Sequence, residues 1–175
     1  MNPNQQDEWI TKHIPHRVRA AIARLDLEKS LLRVKAVLDP ILQTDTDKVY
    51  WRCAGDSIWE GRLAATRWLI EFVGIRQSKG GTSTVCEKRV PSEDVRIDDF
   101  DGGRLLDHLT DDGKLLASVW KGCSLASSHA TNCHHPSVSD QDVLPKALAI
   151  IVKHLQDTIY QKAGKELRDY VLERV

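Results

Sequence analysis

The chain has 175 residues, the length of one compact domain and enough to bury a core without disulfide or metal staples. It is 41% hydrophobic and 29% charged, which excludes the disordered, collagen-like and membrane-embedded classes. Its 25 basic and 25 acidic residues cancel, so no overall field steers it to nucleic acid or an anionic membrane, and any polyanion site must be local.

The segment Met1-Asn2-Pro3-Asn4-Gln5-Gln6-Asp7 has neither a basic nor an apolar signal region, so a secretory signal is not expected and the chain reads as cytoplasmic. No apolar run approaches the roughly 20 residues a bilayer demands, so no membrane is expected among its partners. Cys53, Cys86, Cys123 and Cys133 form no C-x-x-C pair and read as reduced thiols.

In chain order, residues 1–14 read as an N-terminal arm. Pro15 suits a first helical turn, and Val18, Ala21, Ile22 and Leu25 begin an apolar stripe continued by Leu31, Leu32, Val34 and Leu38. The spacing predicts a helix over 15–38, bent near Asp26 and stopped by Asp39-Pro40. A polar link around Thr44 to Asp47 follows, then Gly55-Asp56-Ser57 as an N-cap for a second helix over 56–74. Ile58, Trp59, Leu63, Leu69, Ile70, Phe72 and Val73 give that helix a face too broad for a surface helix, so it is expected to lie centrally. Arg67 and Glu71 are spaced to pair on it.

Over 75–109 the helical period disappears. Gly80 to Thr84 reads as a loop, Val95-Arg96-Ile97 as a short strand, Asp101-Gly102-Gly103 as a turn and Arg104 to His108 as a helical turn. Thr110 caps a third helix over 110–129 carrying Leu115, Leu116, Val119, Trp120, Cys123 and Ala126. A fourth over 140–163 places Leu144, Ala147, Leu148, Ile151, Leu155 and Ile159 on one stripe, extending past Gly164 towards Leu167, Val171 and Leu172. The expected fold is a single mainly α domain over 1–175, with a four-helix-bundle-like core and a short irregular or β excursion between the second and third helices.

The chemistry-bearing anomaly is 122–139, a stretch without Asp, Glu, Lys or Arg in a charge-rich chain. It holds His129, His134 and His135 of the seven histidines, with Cys123 and Cys133. Thiolate and imidazole are preferred zinc ligands, so Cys123, His129, Cys133 and His135 form a possible set, although their spacing matches no compact zinc pattern. Ser124, Ser127 or Ser128 beside His129 lacks the elbow of a serine hydrolase. The basic stretch Lys12 to Arg24 invites an RNA reading, but helical geometry splits its arginines to either side of the apolar stripe, where they flank a buried face. Acids from Glu93 to Asp101 lack EF-hand spacing, and the tryptophans lack the regular spacing of a base-stacking platform.

Three features resemble the HEPN (higher-eukaryote-and-prokaryote nucleotide-binding) helical proteins, and small bacterial members in particular. They are the helix Ala65-Thr66-Arg67-Trp68-Leu69-Ile70-Glu71-Phe72, the acidic Glu93-Asp94-Val95, and a helix ending in small residues and His129-Ala130-Thr131. The similarity covers Glu60 to Thr131. It implies a four-helix bundle, frequently a homodimer, in which an Arg-x4-6-His motif makes many members metal-independent RNases while others bind nucleotides or partner proteins. Here Thr110 to Thr131 contains no arginine; only His129 matches by position, with Lys121 the nearest cation and unable to make arginine's bidentate phosphate contact.

The leading expectation is therefore a binding or interaction module without catalysis or cofactor. It recognises a nucleotide or a partner protein, with Ser128, Thr131, His134 and His135 as its ligand-binding residues. The alternatives are an RNase using His129 and Lys121, and a zinc protein using the Cys/His cluster. A homodimer is also expected, because the four tryptophans from Trp51 onward and the small-residue face of the third helix exceed what one small bundle easily buries.

Overall fold

The computed structural model describes residues 1–22, 44–77, 83–85, 95–128 and 142–172. The first helix, α1, begins at Pro3–Glu8. Asn2 accepts a hydrogen bond from the Gln5 amide at 2.8 Å, and the Gln5 side chain accepts one from the Asn2 amide at 3.2 Å, a reciprocal cap with Pro3 in the first turn. A π-helical turn, Trp9–His13, closes with the Ile14 amide donating to the Trp9 carbonyl, and the helix continues over 14–22. The segment expected as an N-terminal arm is thus helical from Pro3. The Asn2/Gln5 cap replaces Pro15 as the start, and the buried stripe begins at Ile10 and Ile14, ahead of Val18 and Ala21. The expected continuation through Leu25 to Pro40 lies outside the described residues.

Helix α2 spans Asp45–Phe72, eleven residues longer at its N-terminal end than the expected start at 56. Neither the link at Thr44 to Asp47 nor Gly55-Asp56-Ser57 interrupts it, since an interior glycine costs only about 1 kcal/mol and the helix has packing to offset it. Its end is as expected: Gly74 adopts φ +93°, and the Gly74 amide bonds the Glu71 carbonyl at 3.0 Å. Strands β1 (Ile75–Gln77) and β2 (Ser83–Val85) then pair antiparallel, Arg76 opposite Thr84.

Within the excursion, Ile97–Asp99 is a 3-10 turn rather than the strand expected from Val95-Arg96-Ile97. The Arg96 amide bonds the Asp99 carboxylate at 2.9 Å, which closes the chain locally and leaves Ile97 fully buried. The helical turn expected at Arg104 to His108 is also absent: 103–107 is irregular, held by the Leu106 amide on the Val73 carbonyl at 2.9 Å.

Helix α3 (Asp111–Ser128) starts where Thr110 Oγ1 accepts from the Gly113 amide at 3.1 Å. Helix α4 (Val143–Leu155) carries the predicted stripe, with Leu144, Ala147, Leu148, Ile151 and Leu155 all buried. It runs into a π-helical turn, Gln156–Tyr160, and stops at Gly164, where φ is +64°. A separate short helix, α5 (Leu167–Leu172), follows in place of the expected extension. The Gln156 side chain holds this corner, accepting from the Leu167 amide at 2.8 Å and donating to the Lys165 carbonyl at 3.3 Å.

The helices close a ring. Trp9 of α1 stacks on Trp68 of α2 at 6.0 Å; Trp120 of α3 reaches Glu71 of α2; α3 packs on α4; and Tyr160, after α4, donates to the Ile10 carbonyl of α1 at 2.7 Å. Trp9 meets Trp68 while Arg62 Nε donates to the Ala21 carbonyl at 3.1 Å, so α1 and α2 run antiparallel, and the hairpin packs against α3. Among the described residues, no helix is long and apolar enough to cross a membrane.

Candidate functional site

The predicted cluster is only partly described. Lys121 lies exposed on α3, and Ser128 is that helix's last residue; its side chain, with His129, Thr131, Cys133, His134 and His135, lies outside the described residues. Cys123 is fully buried in the core. Burial pushes its thiol up to about 12, against the pull of Arg67 and Arg62, so it is a neutral, apolar group at ordinary pH. Among the described residues no three His, Cys, Asp or Glu side chains are grouped to hold a metal.

What the described residues do bring together is a cation–aromatic patch where α2, β1 and α3 meet. Arg67 and Glu71, one turn apart on α2, form the predicted pair, with Nε 3.0 Å from Glu71 Oε1. The same carboxylate oxygen accepts from the Trp120 indole Nε1 at 2.7 Å, so Glu71 fixes both the guanidinium and the ring. The Arg67 guanidinium carbon lies 5.2 Å from the Trp120 ring centroid, and that of Arg76, from β1, lies 6.0 Å from it. The side chains of Arg67 and Glu71 are about a third exposed, at 34% and 35%. Trp120 and Arg76 are half-buried.

Each member is placed by local structure. Gly74 turns the chain at the end of α2 so that β1 doubles back beside α3, and strand alternation sends Ile75 into the core and Arg76 to the opposite side. Trp120 sits one turn before buried Cys123, at the margin of the α3 apolar face. Among the described residues the terminal guanidinium nitrogens of Arg67, and all of Arg76, have no hydrogen-bonding partner. They remain able to donate to a planar or tetrahedral anion.

The sequence pointed to Arg67 with Glu71 as a helix pair and to Trp120 as a core or interface anchor, but missed Arg76 and the convergence of all four. The only local signal was an arginine two residues after a helix-ending glycine.

Hollows among the described residues lie elsewhere. One, about 510 Å³, is an apolar groove between α1, α4 and α5, lined by Val18, Ile22, Ala149, Val152, Leu167 and Val171 among others. Another, about 470 Å³, is more polar and contains Asp107, Thr110, His154 and Asp157. His154 Nε2 is 2.6 Å from the Arg104 carbonyl, an anchor for the excursion.

No protein-family model, curated protein or solved structure matches the chain. Fold and patch together define a class in structural terms: a mainly α four-helix bundle carrying a partly exposed arginine–tryptophan patch.

Proposed function

We propose that this protein is a HEPN-like helical binding module that recognises a nucleotide without transforming it. The observation that supports this reading is the Arg67–Glu71–Trp120–Arg76 patch. It combines flat cations, an aromatic ring and a fixed carboxylate, groups that hold a charged planar ligand. Among the described residues, the hydrogen-bonded and stacked members of the patch are two arginines, a glutamate and a tryptophan, and the thiol nearest in sequence, Cys123, is buried and neutral.

Calorimetric titration with a panel of mononucleotides and a short single-stranded RNA tests the binding half, and saturable binding of at least one member is expected. A panel without any binder overturns the nucleotide reading and leaves a partner protein as the ligand class. For the catalytic half, RNA incubated with pure protein and no added metal is expected to stay intact. Cleavage that disappears in a folded His129→Ala variant would overturn the non-catalytic reading.

A further inference from the structure

We infer that Arg67 and Arg76, whose guanidinium carbons lie 5.2 and 6.0 Å from the same Trp120 ring centroid, bind the phosphate group of the ligand. This inference rests on the nucleotide-binding reading above and assigns the part of the ligand that the patch grips. An arginine pair beside an indole is commonly only a packing device, so the charge and geometry decide. Glu71 neutralises one of the two guanidinium charges and occupies a single nitrogen, Nε of Arg67, so that among the described residues the patch is net positive in a chain whose total charge is zero. Were the patch purely structural, one cation over the ring would serve; a second guanidinium, delivered from a different element, adds repulsion that an anion relieves.

The indole also fixes where the guanidiniums sit. Its Nε1–H is committed to Glu71, so the ring cannot rotate freely, and each arginine stacked near it loses less rotamer entropy when a ligand arrives. Guanidinium suits a phosphate because two parallel N–H donors match two of its oxygens. The phosphate of a mononucleotide and that of an RNA backbone share this chemistry, so both are probed.

The experiment is isothermal titration of the full chain with adenosine, 5′-AMP, ATP and a short single-stranded RNA, repeated with Arg76→Gln, Arg67→Gln and Arg76→Lys after circular dichroism confirms folding. The expected result is binding of at least one phosphate-bearing ligand but not adenosine. Each Gln variant should weaken it by about tenfold or more, and Arg76→Lys should recover only part of the loss, because it restores charge without the fork. Preference for RNA over both mononucleotides assigns the site to a backbone phosphate, and the reverse assigns it to a mononucleotide. Unchanged affinity in both Gln variants overturns the assignment while the nucleotide-binding reading stands. Adenosine binding as tightly as AMP overturns it likewise. Absence of binding by every probe removes the nucleotide reading itself and the assignment with it.

Discussion

Trp120 is the residue on which the α2–α3 contact and the candidate site coincide. Replacing it by Phe keeps the ring and removes the Nε1–H donated to Glu71 at 2.7 Å; the expected cost is about 1 kcal/mol by urea denaturation, with Glu71→Gln in the same background adding less than it does alone. Two buried groups set the alkaline limit. Burial raises the Cys123 thiol from 9.0 to about 12, and burial, with Tyr160's neighbour Tyr170, raises the Tyr160 phenol well above 10.0. Both are neutral in the folded state while the unfolded chain ionises them, so their contribution is complete below about pH 9 and is lost as pH climbs towards the folded-state values. Stability measured at pH 8 and pH 10 should therefore fall with pH, and Cys123→Ala should flatten the part of the slope that begins near 9. An unchanged slope in that variant would remove the thiol from the account.

At the scale of elements, glycines of the two kinds respond with opposite sign. Gly74 has φ +93°, and a methyl group there meets Leu105 Cδ2 at 2.5 Å. Gly103 leaves still less room, a Cβ falling 1.7 Å from the Ile97 carbonyl oxygen. Gly61, inside α2, has open space around the same position. Gly61→Ala should stabilise the protein by about 0.5 to 1 kcal/mol through helix propensity, while Gly74→Ala and Gly103→Ala should destabilise it by more than that gain. Thermal melts of the three variants check the order. Backbone conformation, not open space, separates the glycines: Gly61 sits inside α2 without ending it, whereas Gly74 and Gly164, at positive φ, follow the ends of their helices.

For the whole molecule, α1 closes the bundle. It supplies Ile10 and Ile14 to the core, stacks Trp9 on Trp68 and Phe72, receives the Tyr160 hydroxyl and pairs Asp7 with Lys165. Each buried isoleucine alone is worth about 1.5 to 3 kcal/mol, against a total stability of roughly 5 to 15 kcal/mol for a domain. Deleting residues 1–14 should therefore abolish cooperative thermal unfolding, whereas a true arm would be dispensable; a truncated protein melting as sharply as the full chain would contradict this closure. The expected homodimer rested in part on tryptophans in excess of one core's needs. Trp68 and Trp120 are engaged within a single bundle, by Trp9 and Phe72 and by Glu71 and two arginines, which weakens that reason for pairing.

The sequence by itself determined the helical class, the end of α2 at Gly74, the Thr110 start of α3, the buried stripe Leu144 to Ile159 and the Arg67–Glu71 pair. All of these depend on residues within one or two turns of each other, where periodicity and capping act. Only the tertiary structure decided that the first residues belong to the core, because a π turn at Trp9–His13 shifts the helical phase and hides the stripe from a regular period. It alone joined Arg67, Glu71, Arg76 and Trp120, since a strand placed beside α3 by one glycine and the packing of α2 on α3 bring together residues 49 positions apart. Such convergence depends on long-range packing, and no local pattern encodes it.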